Sequence, residues 1–166
     1  AVLSGWYSCA GSSNGPSSNF YGWLLVSSRT GAGGMIRQDA WNALGQPDHF
    51  VRYAVDGVWT PWEYVNPPMQ LGVEYRTVEQ YNSKPVYAKA ISFGQAPNAT
   101  YKDVSHGIEN FSQLVSYTGM MGGANLIEAS GVDNIQINAS NIRITTNTDV
   151  SANYVYLVLR YTKTTD

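Results

Sequence analysis

Cysteine occurs once, histidine twice and charged residues at only 13% in these 166 residues, and each shortage removes a class of chemistry. A lone Cys9 permits neither an internal disulfide framework nor a four-thiolate zinc site. Charge runs at half the roughly 25% usual for a soluble domain. With a net charge of -2, no basic face is expected for nucleic acid. No apolar run approaches the ~18 residues of a membrane span; the longest resemble Trp23-Leu24-Leu25-Val26. Neither a signal-peptide pattern nor an initiating Met opens the chain, so it reads as a fragment of something longer.

Motifs for metals and phosphates are missing as well. There is no His-x-His, no Cys-x-x-Cys and no acidic calcium loop. Gly31-Ala32-Gly33-Gly34 lacks the Lys-Ser/Thr that would make it a phosphate cradle. No metal and no cofactor is therefore expected. A hydrolase triad would need His49 or His106 beside a nucleophilic Ser, yet no Gly-x-Ser-x-Gly elbow exists. Both histidines read as hydrogen-bonded structural residues. The twelve acids are scattered, and Asp56, Asp103 and Asp133 sit by turn residues, so no facing carboxylate pair is signalled. No catalysis is expected. Asn98, Asn110 and Asn138 begin glycosylation triplets, which carry no weight in an Asn- and Ser-rich chain.

What is abundant is aromatic and neutral-polar: 12 Tyr, 5 Trp and 40 residues of Ser, Thr or Asn. At 43% hydrophobic the chain can bury enough surface to fold. No sustained i, i+3, i+4 stripe exists, whereas short runs bounded by turn residues recur. The pattern predicts strands at 22–29, 35–41 and 49–55, then the tight turn Asp56-Gly57 leading to Val58 and Trp59, a small antiparallel meander. Asn66-Pro67-Pro68 cannot continue a ladder. All five Trp precede it, while every later aromatic is Tyr or Phe. The reading is two modules, 1–66 and 72–166, joined by a linker at 67–71. In the second, eight strands are expected, at 73–81, 85–93, 101–106, 113–118, 126–129, 134–137, 142–146 and 153–162. The fold class is all-β, a meander followed by a sandwich or jelly-roll-like domain.

Trp41, Tyr53, Trp59, Trp62 and Tyr64 crowd into 24 positions of the small first module. Planar rings stack on sugar faces while Arg, Asn, Gln and Asp bond hydroxyls. Core packing competes for the same rings, because a small domain needs large aromatics for burial. Trp59 and Trp62 cannot both point inward from one regular strand, so one of them should be partly exposed. The candidate ligand-binding residues are Trp41, Arg52, Tyr53, Trp59 and Trp62.

The order Leu3-Ser4-Gly5-Trp6-Tyr7, Tyr21-Gly22-Trp23-Leu24-Leu25-Val26, Ile36-Arg37-Gln38, Val51-Arg52-Tyr53 and Trp59-Thr60-Pro61-Trp62-Glu63 resembles the pyocin-knob domain of phage tail fibres and bacteriocin tails. The Ser/Asn-rich loop 11–19 departs from that family, which often has a short apolar segment there. Gly72 to Tyr87 and the ending Leu159 to Asp166 are similar to C-terminal domains of phage and prophage tail and baseplate proteins. These resemblances imply a trimeric fibre tip on a virion. It would attach without catalysis to a bacterial cell-surface glycan or other envelope polymer, beside other tail or baseplate proteins, with no nucleic-acid partner and no membrane insertion. The alternative they leave open is a trimerising or connecting module whose exposed aromatics are subunit interfaces. A depolymerase ranks third.

Overall fold

Alternation of small polar and bulky apolar residues, with Gly and Asn at the corners, builds an all-β chain. The computed structural model describes residues 3–29, 34–45, 48–123, 125–127 and 131–165, and no α-helix occurs among them. The chain divides into two units, Ala1–Pro68 with Arg76–Val78, and Met69–Tyr75 with Glu79–Asp166.

In the first unit β1 (Gly5–Ser12), β2 (Phe20–Arg29), β3 (Met35–Asn42) and β4 (His49–Val55) run as an antiparallel meander. Two short strands, β5 (Val58–Trp59) and β6 (Glu63–Tyr64), both pair with β4. Thr77 adds a parallel bridge to Tyr64. The Asp56-Gly57 turn is as the sequence suggested, with φ of 51° and 81° at its two central residues. That pair of positive angles matches the twist of the flanking strands. The predicted flexible turn at 30–34 lies, but for Gly34, outside the described residues. β1 was not expected, because Ser8, Ala10, Gly11 and Ser12 have poor strand propensity. It forms because Trp6-Leu25 and Tyr7-Leu24 pair across to β2, and a bulge between Cys9 and Ser12 absorbs Gly11 at φ 66°. The core on one side of this meander is Phe20, Ala40 and Phe50, with Leu24, Trp62 and Tyr64 packed against it.

The second unit takes both ends of β7 (Glu74–Tyr81), then β8 (Lys84–Gln95), β9 (Tyr101–Ser105), β10 (Phe111–Met121), β11 (Asn125–Leu126), β12 (Val132–Ile137), β13 (Asn141–Thr146) and β14 (Tyr154–Lys163). All eight predicted strands are present, although the end of the 126–129 run lies outside the described residues. One sheet holds β8, β14, β10 and β11 in that order, and the other β12, β13 and β9. Val155, Leu157, Leu159 and Tyr161 on β14 and Ile142 and Ile144 on β13 belong to one buried cluster, the core of a sandwich. β14 is central in its sheet, as its β-branched and aromatic run suggested, but burial alternates from Tyr154 to Tyr161, with Thr162 also buried. Tyr154 and Tyr156 face solvent, the half-solvated pattern of an antiparallel sheet.

Candidate functional site

Strand register sorts the first unit's side chains onto two faces. Val26, Gln38 and Arg52 lie directly opposite one another on β2, β3 and β4, as do Leu24, Ala40 and Phe50. Opposed residues project to the same side of a sheet, and Trp59, paired with Ala54, joins them there. The chain then leaves the ladder. Tyr53 donates its N–H to Thr60 Oγ1 at 3.0 Å, and Thr60 donates its own to the Tyr53 carbonyl at 2.8 Å. Pro61 follows, and Trp62 is thereby freed from strand alternation. Both indoles are half-buried rather than one in and one out.

They meet on the same cation. The Arg52 guanidinium carbon lies 4.3 Å from the Trp59 ring centroid and 4.3 Å from that of Trp62. Its Nε donates to Gln38 Oε1 at 2.8 Å, and Gln38 is only 2% exposed. Among the described residues Arg52 makes no ion pair. Burial accordingly draws its pKa below the ordinary guanidinium value, with no carboxylate to oppose the shift.

Arg52, Gln38 and Trp62 line a pocket of about 160 Å³ that Cys9, Phe20 and the loop residue Asn14 also wall. Trp62 Nε1 donates to the Asn14 carbonyl at 3.4 Å, tying the loop to the ring. Gly15 lets that loop close over Phe20, since a Cβ there would sit 2.3 Å from the Phe20 Cβ. Gly22 does the same beneath, where a Cβ would fall 2.0 Å from the Trp41 carbonyl oxygen. A cation with free donors, a buried amide, a thiol and the Trp62 indole together suit an oxygen-rich, partly apolar ligand.

The other two candidates occupy the opposite face of β3 and β4. Trp41 stacks on Trp6 at 5.5 Å and on His49 at 4.6 Å. Tyr53 lies under the Arg37 guanidinium at 5.7 Å and lines a separate cavity of about 300 Å³ at the end of the β2–β3 hairpin. Arg37 donates twice to Asp39, at 2.7 and 2.8 Å, and His49 Nε2 sits 3.2 Å from the same carboxylate. Burial alone would raise the Asp39 carboxyl, but the hydrogen bonds and charge of Arg37, then of His49, hold it below the usual range. Trp6 and Trp23 stand 66% and 56% exposed on this face. The structure thus gathers Arg52, Trp59 and Trp62 and separates them from Trp41 and Tyr53.

Cys9, Gln38 and the Asn14 loop were missed from sequence because cross-strand register alone places them beside Arg52. The one available signal was the polar 11–19 loop. His106 is a satisfied structural residue: the Ile108 N–H donates to its Nδ1 at 3.1 Å, and its Nε2 lies 3.1 Å from the Asn138 carbonyl. No group of three or more His, Cys, Asp or Glu suited to a metal occurs among the described residues.

No protein-family model matches the chain, and no curated protein matches it. Among solved structures it is similar to an N-truncated R2-type pyocin tail fiber, at 10% identity and a TM-score of 0.36 over 95% of this chain and 91% of that one. C-terminal pieces of the R2 and R1 pyocin fibers of P. aeruginosa match at 11% and 13% identity, with TM-scores of 0.34 and 0.31. This chain spans 62% and 63% of those two.

Proposed function

We propose that this chain is a non-catalytic receptor-binding tip of a phage-type tail fibre, attaching a virion to a bacterial cell-surface glycan through the first unit. The observation that carries the reading is the Arg52 guanidinium held against Trp59 and Trp62 in a polar pocket. The Trp62 indole offers apolar surface to a sugar ring, and the guanidinium offers donors to hydroxyls. The resemblance of residues 3–63 to pyocin-knob sequences agrees with it. Tyr, Ser and Asn abundance suits low-entropy recognition surfaces. A homotrimeric fibre, held with other tail or baseplate proteins, multiplies weak sites into firm attachment.

A connecting or trimerising role is the second reading, and the exposed Trp6 and Trp23 on the other face favour it. Binding of the purified chain to a panel of bacterial strains tests the proposal. It should retain at least one strain, lose that binding after periodate oxidation of the cells, and bind less as Trp62→Ala with its oligomer unchanged. Undiminished binding by Trp62→Ala and to oxidised cells would refute it.

A further inference from the structure

Resting on that glycan reading, we infer that the pocket takes an acidic sugar, its carboxylate on the outer fork of Arg52 and its ring against Trp62. The argument begins with what Arg52 lacks. Its Nε is committed to Gln38, and its guanidinium carbon lies 4.3 Å from the ring centroids of both Trp59 and Trp62. The terminal nitrogens have no acceptor among the described residues. Among the described residues no buried side-chain nitrogen or oxygen is left without a partner, so these donors are open to solvent, and Arg52 lines the pocket.

Geometry narrows the ligand. With Nε committed, the donors left on Arg52 are its two terminal nitrogens, a planar pair that a carboxylate meets with two parallel bonds. The pocket brings one positive charge and no second cation, which balances a carboxylate but not a doubly charged phosphate monoester. Its volume of about 160 Å³ falls below the roughly 300 Å³ of a drug-sized site. It therefore holds the end of a chain, a terminal acid-bearing residue, and not an internal stretch of polymer.

The test uses the full chain with glucuronate, galacturonate, acetate, glucose and inorganic phosphate at matched ionic strength. Two readouts suit the site: the Trp59 and Trp62 indole N–H resonances, and the rate at which a thiol reagent modifies Cys9, the sole cysteine and a pocket wall. Either uronate should shift both resonances saturably and slow Cys9 modification, at least tenfold more tightly than glucose. Arg52→Lys, which keeps the charge but loses the fork, should weaken the uronate at least fivefold. Gln38→Glu supplies the missing acid from within and should abolish uronate binding while the chain stays folded. Equal affinity for glucose and uronates would overturn the acidic-sugar inference and leave the glycan reading standing. Tighter binding of phosphate would overturn the choice of carboxylate. No response to either uronate or to acetate, in a chain that still binds cells, would also overturn the inference. Absence of cell binding would instead remove the function on which it rests.

Discussion

Replacing Arg52 by Met keeps a stem of similar length but removes the cation from between two indoles. Each guanidinium–indole contact at 4.3 Å is worth about 0.5–2 kcal/mol, depending on desolvation. Gln38 Oε1, in a residue 2% exposed, would lose a hydrogen bond from a charged donor, worth about 1.5–3 kcal/mol. Relief from burying an unpaired charge returns part of this, and the Met stem retains some packing. The net expectation is a loss of about 2–4 kcal/mol from the first unit. Tryptophan emission during urea unfolding measures that unit alone, because all five Trp lie within residues 1–68 and none in the second unit. Trp59→Leu and the double variant close a cycle, and its coupling should be about 0.5–2 kcal/mol. Arg52→Met within about 0.5 kcal/mol of the parent, the scatter of an ordinary surface change, would refute the reasoning. So would zero coupling.

Two further expectations concern the second unit. Asn82 and Ser83 join β7 to β8 with φ of 50° and 61°, and a left-handed Ser costs about 1–2 kcal/mol. Ser83→Gly should therefore raise stability by about 1 kcal/mol, and a denaturation midpoint unchanged or lowered in circular dichroism counts against it. Burial, and secondarily Lys89, lower the His106 imidazole below its ordinary 6.5, against a hydrogen bond to Asn138 that raises it. Below pH 6.5 the unfolded chain then binds more protons, so the stability this residue contributes is complete above that pH and is lost as pH falls toward the folded value. An NMR titration of His106 should give a midpoint under 6.5, and His106→Gln should flatten the stability profile between about pH 7 and 5; a midpoint at or above 6.5 contradicts the assignment.

Local chemistry made most strands readable. Asp56-Gly57, Asn82-Ser83 and the alternating run of β14 announce themselves within a few residues. β1 did not, because its Ser, Ala and Gly become strand only when β2 supplies partners and a bulge takes up Gly11. The same limit governed the site. Tryptophan and arginine types pointed to Trp41, Arg52, Tyr53, Trp59 and Trp62, yet only strand register says that Arg52 and Tyr53 face opposite ways. Alternation indicated that Trp59 and Trp62 would not both be buried, but not that both rings turn to one cation, which follows from Thr60-Pro61 ending the strand between them. Gln38 and Cys9 carry no local mark of their roles at all.

The first unit has two aromatic surfaces, on opposite faces of its sheet, and their tryptophans can be read separately. Titration of the isotopically labelled chain with purified surface polysaccharide from a strain that it binds, followed through the five indole N–H resonances, tests the central claim most directly. The Arg52 pocket predicts that Trp59 and Trp62 shift saturably while Trp6 and Trp23 stay in place. Shifts confined to Trp6, Trp23 and Trp41 would contradict it and assign recognition to the opposite face.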